Sequence, residues 1–278
     1  MKLTYYGTAA AEGVPALWCD CGTCTKAREK GGRNVRTRSQ ALVDDKILID
    51  LPADTYLHVL SYGLPLQTID SCIITHAHSD HLYTKELYMR HVGFAHLKNG
   101  KPFKVYATSH VLSVIKNDLG DSLSTMENAG EAELHEIKPF ESFMIGDYRV
   151  TPLVADHNCP EAVFYSIEKG NEAILYAHDT GIFPEESWKW LEDSGICYDI
   201  VSFDCTNVLL EWDNRGHMGI SGNEPVKNRL AAIGCINSDT KCVVNHFSHN
   251  GLAGYDEFAP IAKEKGFEVS YDGMVVEI

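Results

Sequence analysis

Short apolar runs alternate along the chain with segments whose apolar positions recur every three or four residues. That is the pattern of strands interleaved with amphipathic helices. The runs that read as strands are Leu3–Tyr6, Ala41–Val43, Ile47–Asp50, Cys72–Thr75, Lys104–Ala107, Tyr148–Leu153, Ala162–Ile167, Ala173–Tyr176, Ile200–Phe203, Cys242–His246, Val269–Tyr271 and Met274–Ile278. Helical spacing predicts helices over Ala53–Ser61, Ser109–Asp118, Pro184–Asp193, Glu224–Ile233 and Tyr255–Lys265, several opened by Pro or a small polar cap. No repeat or low-complexity tract divides the chain, so residues 1–278 read as one domain of sheet layers flanked by helices. Residues 82–130, richer in Gly, Asn and Ser toward their end, read as a partly helical insertion.

Composition sharpens this picture. The chain has 278 residues and 44% hydrophobic content, enough for a sizeable core. Its formal net charge of −15 disfavours a general nucleic-acid binder. No basic start with an apolar signal segment is visible, and no apolar run approaches the roughly 18 residues a membrane span needs. The expectation is a cytoplasmic protein that engages no membrane. Nine cysteines, an odd number, point to reduced thiols or metal ligands rather than a disulfide framework. Thirteen histidines make placement the informative question.

One segment stands out: an apolar strand running into His76-Ala77-His78-Ser79-Asp80-His81. In extended chain, positions i and i+2 share a face, so His76 and His78 can converge on one ion. A turn after His78 can aim Asp80 and His81 at a second. Imidazole with carboxylate suits Zn, Mn or Fe rather than calcium. Further donors belong at other strand ends, and three candidates lie there: His157, Asp179 and His246. His178 points to the opposite face of its strand and reads as a packing residue.

A second cluster, Cys19-Asp20-Cys21-Gly22-Thr23-Cys24, puts three thiols in six residues. A closed structural zinc wants a fourth ligand. His249, three residues after His246, is the candidate, the alternative being a reduced, metal-free cluster. Cys72, Cys159, Cys197, Cys205, Cys235 and Cys242 read as ordinary core thiols.

In order and spacing these residues resemble the metallo-β-lactamase superfamily: an apolar strand into Asp50, the His76-x-His78-x-Asp80-His81 loop, then His157, Asp179 and His246. The resemblance implies an α/β fold, the four-layer αββα sandwich, with a dinuclear metal site at one edge. By position His76, His78 and His157 would hold one ion, Asp80, His81 and His246 the other, and Asp179 would bridge them. Asp50 would orient ligands without being one. The cysteine loop, the Gly7-Thr8 to Gly13-Val14-Pro15 opening and the C-terminal Gly266–Met274 stretch resemble phosphodiesterases of the PhnP type. In these a Cys-x-Cys-x2-Cys loop and a His three residues past the last catalytic His hold a zinc, as Cys19, Cys21, Cys24 and His249 would here.

The implied activity is hydrolysis of small, including cyclic, phosphodiesters by a hydroxide bridging two Zn, Mn or Fe ions. Asp80 would serve at the catalytic centre, and His217 would protonate the leaving alkoxide. Two divalent ions would also make the pocket locally positive on an acidic protein. The competing readings are a tRNA 3′-processing nuclease, which would need a basic surface this chain lacks, a lactone or carboxyl-ester hydrolase, and a non-catalytic sensor. The resemblance further suggests a homodimer. The stretch after His81 and the loop between Cys205 and His217 depart from the PhnP pattern, and substrate contacts would sit there.

Overall fold

The structure is a computed structural model, and it describes residues 1–98 and 100–278. Chain order runs β1 (Lys2–Gly7), α1 (Gly22–Lys30), β2 (Gln40–Val43), β3 (Ile47–Ile49), α2 (Thr55–Tyr62), β4 (Ser71–Ile73) and α3 (Thr84–Tyr88). It continues through β5 (Phe103–Ala107), α4 (Ser109–Leu119), α5 (Asp121–Asn128), β6 (Ala132–Glu136), β7 (Phe143–Ile145), β8 (Tyr148–Val154), β9 (Val163–Lys169) and β10 (Glu172–Ala177). The last part holds α6 (Glu185–Ser194), β11 (Ile200–Asp204), α7 (Ile220–Ala232), β12 (Lys241–Asn245), α8 (Tyr255–Glu264), β13 (Glu268–Val269) and β14 (Val275–Glu277). Two seven-stranded sheets result, in the orders β14-β1-β2-β3-β4-β5-β6 and β13-β12-β11-β10-β9-β8-β7.

Strand residues alternate between two apolar environments, which is why their sequences read as continuous hydrophobic runs. Ile47, Ile49, Ile73, Tyr165, Ile167, Ile174 and Tyr176 fill the seam between the sheets. Leu42, Leu48, Cys72 and Val105 face outward beneath α4 and α5, against Val111, Ile115, Leu123 and Met126. On the far side Phe164, Leu175, Val201, Phe203 and Val244 pack under Trp188 and Leu191 of α6, Val226 and Leu230 of α7 and Phe258 of α8. Helices outside, sheets inside: this is the αββα sandwich.

Three elements depart from the sequence expectation. A helix, α1, starts inside the cysteine loop, with the Cys21 side chain accepting from Cys24 N as its N-cap. Two strands, β6 and β7, form at sheet edges. Within the 82–130 stretch the expected strand and helix form as β5 and α4; β5 is an interior strand paired with β4 and β6, and α4 and α5 cover it.

Candidate metal centre

The histidines and carboxylates of interest all leave the C-terminal end of a strand: Asp50 follows β3, His76 follows β4, His157 follows β8, Asp179 follows β10, Asp204 ends β11 and His246 follows β12. Asp50, Asp179 and His246 each adopt positive φ, at 66°, 50° and 66°. Non-glycine residues rarely sit in this left-handed region, and such strain clusters where a fold aims side chains for chemistry.

Three imidazoles converge first. His78 Nδ1 lies 3.0 Å from both His76 Nε2 and His157 Nε2. A second group meets beside them: His81 Nε2 is 3.2 Å from Asp80 Oδ2 and 3.2 Å from His246 Nε2. Asp179 stands between the groups. Its Oδ2 is 3.0 Å from His81 Nε2 and 3.2 Å from His246 Nε2, and its Oδ1 is 3.9 Å from His157 Nε2. Yet Oδ2 is buried and receives no hydrogen bond of acceptable geometry. A buried, orphaned carboxylate oxygen encircled by imidazole nitrogens is the arrangement a cation completes. The donor set of imidazole and carboxylate fits two divalent transition-type ions.

The supports of this cluster are equally ordered. Asp50 Oδ2 sits 2.7 Å from His81 Nδ1, and Asp50 is itself fixed by Thr75 N and Thr75 Oγ1. This leaves His81 Nε2 facing the cluster. Burial and the neighbouring imidazoles His81, His157 and His78 push the His76 pKa well down, and burial lowers that of His157. Against the cost of burial, His246 and His81 hold the Asp179 carboxyl well below its ordinary range. Despite its burial, His81 is pushed the other way from His76, well up, by the carboxylates of Asp179, Asp80 and Asp50. His178 is buried with its Nε2 2.7 Å from Ser202 Oγ and its Nδ1 3.2 Å from Asn245 Nδ2, outside the cluster.

His217 lies at the rim, part-exposed, its ring centroid 5.0 Å from that of His157. Its Nδ1 is 3.2 Å from Asp204 Oδ2, a residue the sequence reading left unassigned. Asp204 also accepts from the backbone N–H groups of Asp179, Thr206 and Met218. One carboxylate thus organises the Asp179 loop, the His217 loop and, through Thr206 Oγ1, the ring of His246. Burial lowers the His217 pKa, but the carboxylates of Asp204, Asp179 and Asp80 outweigh it and carry it up to about 9. The signal for Asp204 was present: an apolar strand that ends in Asp, as at Asp50.

The thiols assemble separately. Cys19, Cys21, Cys24 and His249 bring their donor atoms within 4.8 Å of one another. Cys19 Sγ and Cys21 Sγ lie 3.5 and 3.4 Å from His249 Nδ1. Burial raises the Cys21 pKa, but hydrogen bonds from Cys24 N and His249 bring it down to about 6, while burial pushes the Cys24 thiol up to about 12. Three sulfurs and an imidazole form the donor set of a closed zinc site.

Two face-to-face sheets with helices outside and a cluster of His and Asp on the strand-end loops define a metallohydrolase-type sandwich. The chain belongs to the beta-lactamase superfamily: the model described as "Beta-lactamase superfamily domain" matches residues 47–244. Among curated proteins it is similar to "Coenzyme PQQ synthesis protein B" of Ruegeria pomeroyi, 23% identical over an alignment 311 positions long that covers 99% of each chain. Among solved structures it is similar to a "New Diphosphatase from the PhnP Family", at 20% identity and TM-score 0.75, covering 100% of this chain and 97% of that one. It is also similar to Zn(2+)-bound PqqB from Methylobacterium extorquens, at 22% identity and TM-score 0.74, covering 100% of both. These likenesses establish the fold. Among the described residues no helix is long and apolar enough to cross a membrane.

Proposed function

We propose that this chain is a dinuclear-metal-dependent phosphodiesterase acting on small diesters, cyclic ones included. The observation that carries the reading is the Asp179 carboxylate, one oxygen turned to each of two three-donor groups, with the His217–Asp204 pair at the same rim. His76, His78 and His157 would hold one ion, Asp80, His81 and His246 the other, and Asp179 both. Bound there, two divalent ions supply a nucleophile at neutral pH and neutralise charge on the phosphoryl oxygens.

The protein's own groups do the rest. Asp50 and Thr206 hold His81 and His246 in orientation from behind. Asp204 keeps the His217 imidazole protonated, so that it can deliver a proton to a departing alkoxide. The exposed part of the His217 loop carries Glu211 and Asp213 against one Arg215, and with the chain's net charge of −15 this favours a compact diester over an RNA.

The likeness to the PhnP-family diphosphatase supports phosphoester chemistry, while the full-length likeness to the PQQ synthesis proteins gives a competing reading outside ester hydrolysis. Purified protein with its metals quantified should be assayed on bis(p-nitrophenyl) phosphate, cyclic nucleotides, ribosyl cyclic phosphate, linear dinucleotides and lactones. Turnover confined to small diesters supports the proposal. Preference for lactones, or no turnover by metal-replete protein, rejects it.

A further inference from the structure

We propose that the backbone of Gly216 is a clamp that sets His157 and His217 together, and that Asp156 and Gly181 are the positioning residues that hold it. The inference rests on the roles just proposed for the two histidines, but its geometry stands apart from them. The N–H of Gly216 donates to Asp156 Oδ2 at 3.3 Å, and its carbonyl oxygen lies 3.2 Å from His157 Nδ1. A carbonyl only accepts, so Nδ1 carries the proton and Nε2, the nitrogen facing His78, keeps its lone pair. The two peptide groups on either side of Gly216 therefore fix the tautomer of His157 and the start of His217.

The loop carrying Gly216 is docked on the Asp179 loop. Ile182 N donates to Asn214 O at 3.0 Å, Gly181 N to Asp156 O at 2.9 Å, and Asp156 N to Thr180 Oγ1 at 3.0 Å. Asn214 and Gly216 have φ of 56° and 74°, a tight bend that turns the chain back toward the cluster. The contact is so close that a Cβ at Gly181 would lie 2.2 Å from Asn214 O, 2.5 Å from Asp156 Oδ2 and 2.9 Å from Gly216 N. Gly181 has no unusual φ, so closeness alone demands glycine there. Asp179, two residues earlier, and His217 are thereby joined in one rigid unit.

Arg215, exposed beside the clamp, gives a readout independent of catalysis. Trypsin cuts the Arg215–Gly216 bond only when the loop is undocked, because the protease needs a locally opened segment. Mass spectrometry of that cut, metal content and diesterase kinetics should be compared in wild type, Asp156→Ala, Asp156→Asn and Gly181→Ala. We expect Asp156→Ala and Gly181→Ala to be cut at least ~10-fold faster and to lose ~10-fold or more in kcat with KM little changed, the scale of a displaced catalytic group. Asp156→Asn keeps an acceptor oxygen and should stay within about twofold of wild type on the same scale. Unchanged cleavage in both disruptive variants overturns the clamp, as does a loss in Asp156→Asn equal to that in Asp156→Ala. Should Asp156→Ala fail to fold, Gly181→Ala decides alone. If no diester is turned over, the proteolysis arm still decides the clamp, separating its failure from that of the proposed activity.

Discussion

The two donor clusters contrast in how they are built. Three of the four donors of the thiol cluster lie within six residues of one loop, and the fourth comes from a single loop beside it. The His–Asp cluster draws on loops after β4, β8, β10 and β12, from both sheets, with Asp50 and Asp204 behind it. The first is local and closed; the second is dispersed, with a part-exposed His217 at its open rim. The difference teaches that a set of metal donors can be gathered by one short segment or only by a whole scaffold. On the proposed reading, the cluster that would admit and turn over a ligand is the one whose donors are preset by a rigid scaffold.

Removing the shared carboxylate should break this contrast most sharply. Asp179→Ala is expected to lower metal affinity of the His–Asp cluster by well over ~100-fold, beyond what loss of a supporting residue costs, and to abolish turnover. Elemental analysis should still find one zinc per chain at the thiols; retention of all metals would refute the shared role. Next, Cys21→Ser should release only that zinc. A tightly held ion at a thousandfold excess over its dissociation constant stabilises by about 4 kcal/mol, so the denaturation midpoint should fall while turnover per folded molecule is kept. His217→Ala should retain every metal yet lose ~10²-fold in diester turnover, the worth of a general acid. Unchanged turnover would remove His217 from the mechanism.

The smallest effect tests a link between the regions. His58, fully buried, has its Nδ1 2.6 Å from Gln40 Oε1 and its Nε2 2.8 Å from Thr37 Oγ1. Gln40 bonds the Asp50 carbonyl, and Thr37 bonds Asp272, which also holds Thr8 at the head of the loop leading to the cysteines. Burial, against the opposing pull of Asp54, lowers the His58 pKa to about 4. The unfolded chain takes up this proton near pH 6.5 and the folded chain only near 4, so stability is full above 6.5 and declines as pH falls between those values. The loss by pH 5 should be about 2 kcal/mol. A His58→Gln variant should show a flatter profile in thermal melts, and an identical slope would exclude His58 as the cause.

Much of this was legible in the chain. The His76–His81 loop and the cysteine loop carry their chemistry in their spacing, and the apolar strands set the layers. Asp204 ends an apolar strand as Asp50 does, but its partners are assembled only once β11 pairs with β12, placing Asp204 beside Asn245 and so near His246. The edge strand β6, Ala-Glu-Leu-His-Glu, alternates properly but is built from weak strand formers. The short β7 declares itself only through its hairpin partner β8. Nothing in the order Asp156, Gly181, Gly216 announces that three separate loops meet within a few ångströms.

The division of donors between the sheets has a mechanical consequence. His76, His78, Asp80 and His81 ride on the first sheet, and His157, Asp179 and His246 on the second. Ions held between them would act as rivets across a seam that is mostly apolar contact, crossed by a few hydrogen bonds such as Tyr5 Oη to Ser202 Oγ and Tyr165 Oη to the Ile74 carbonyl. The two sheets could then neither slide nor splay without tearing a coordination sphere, so metal supply would govern how long the folded molecule survives as well as how fast it works.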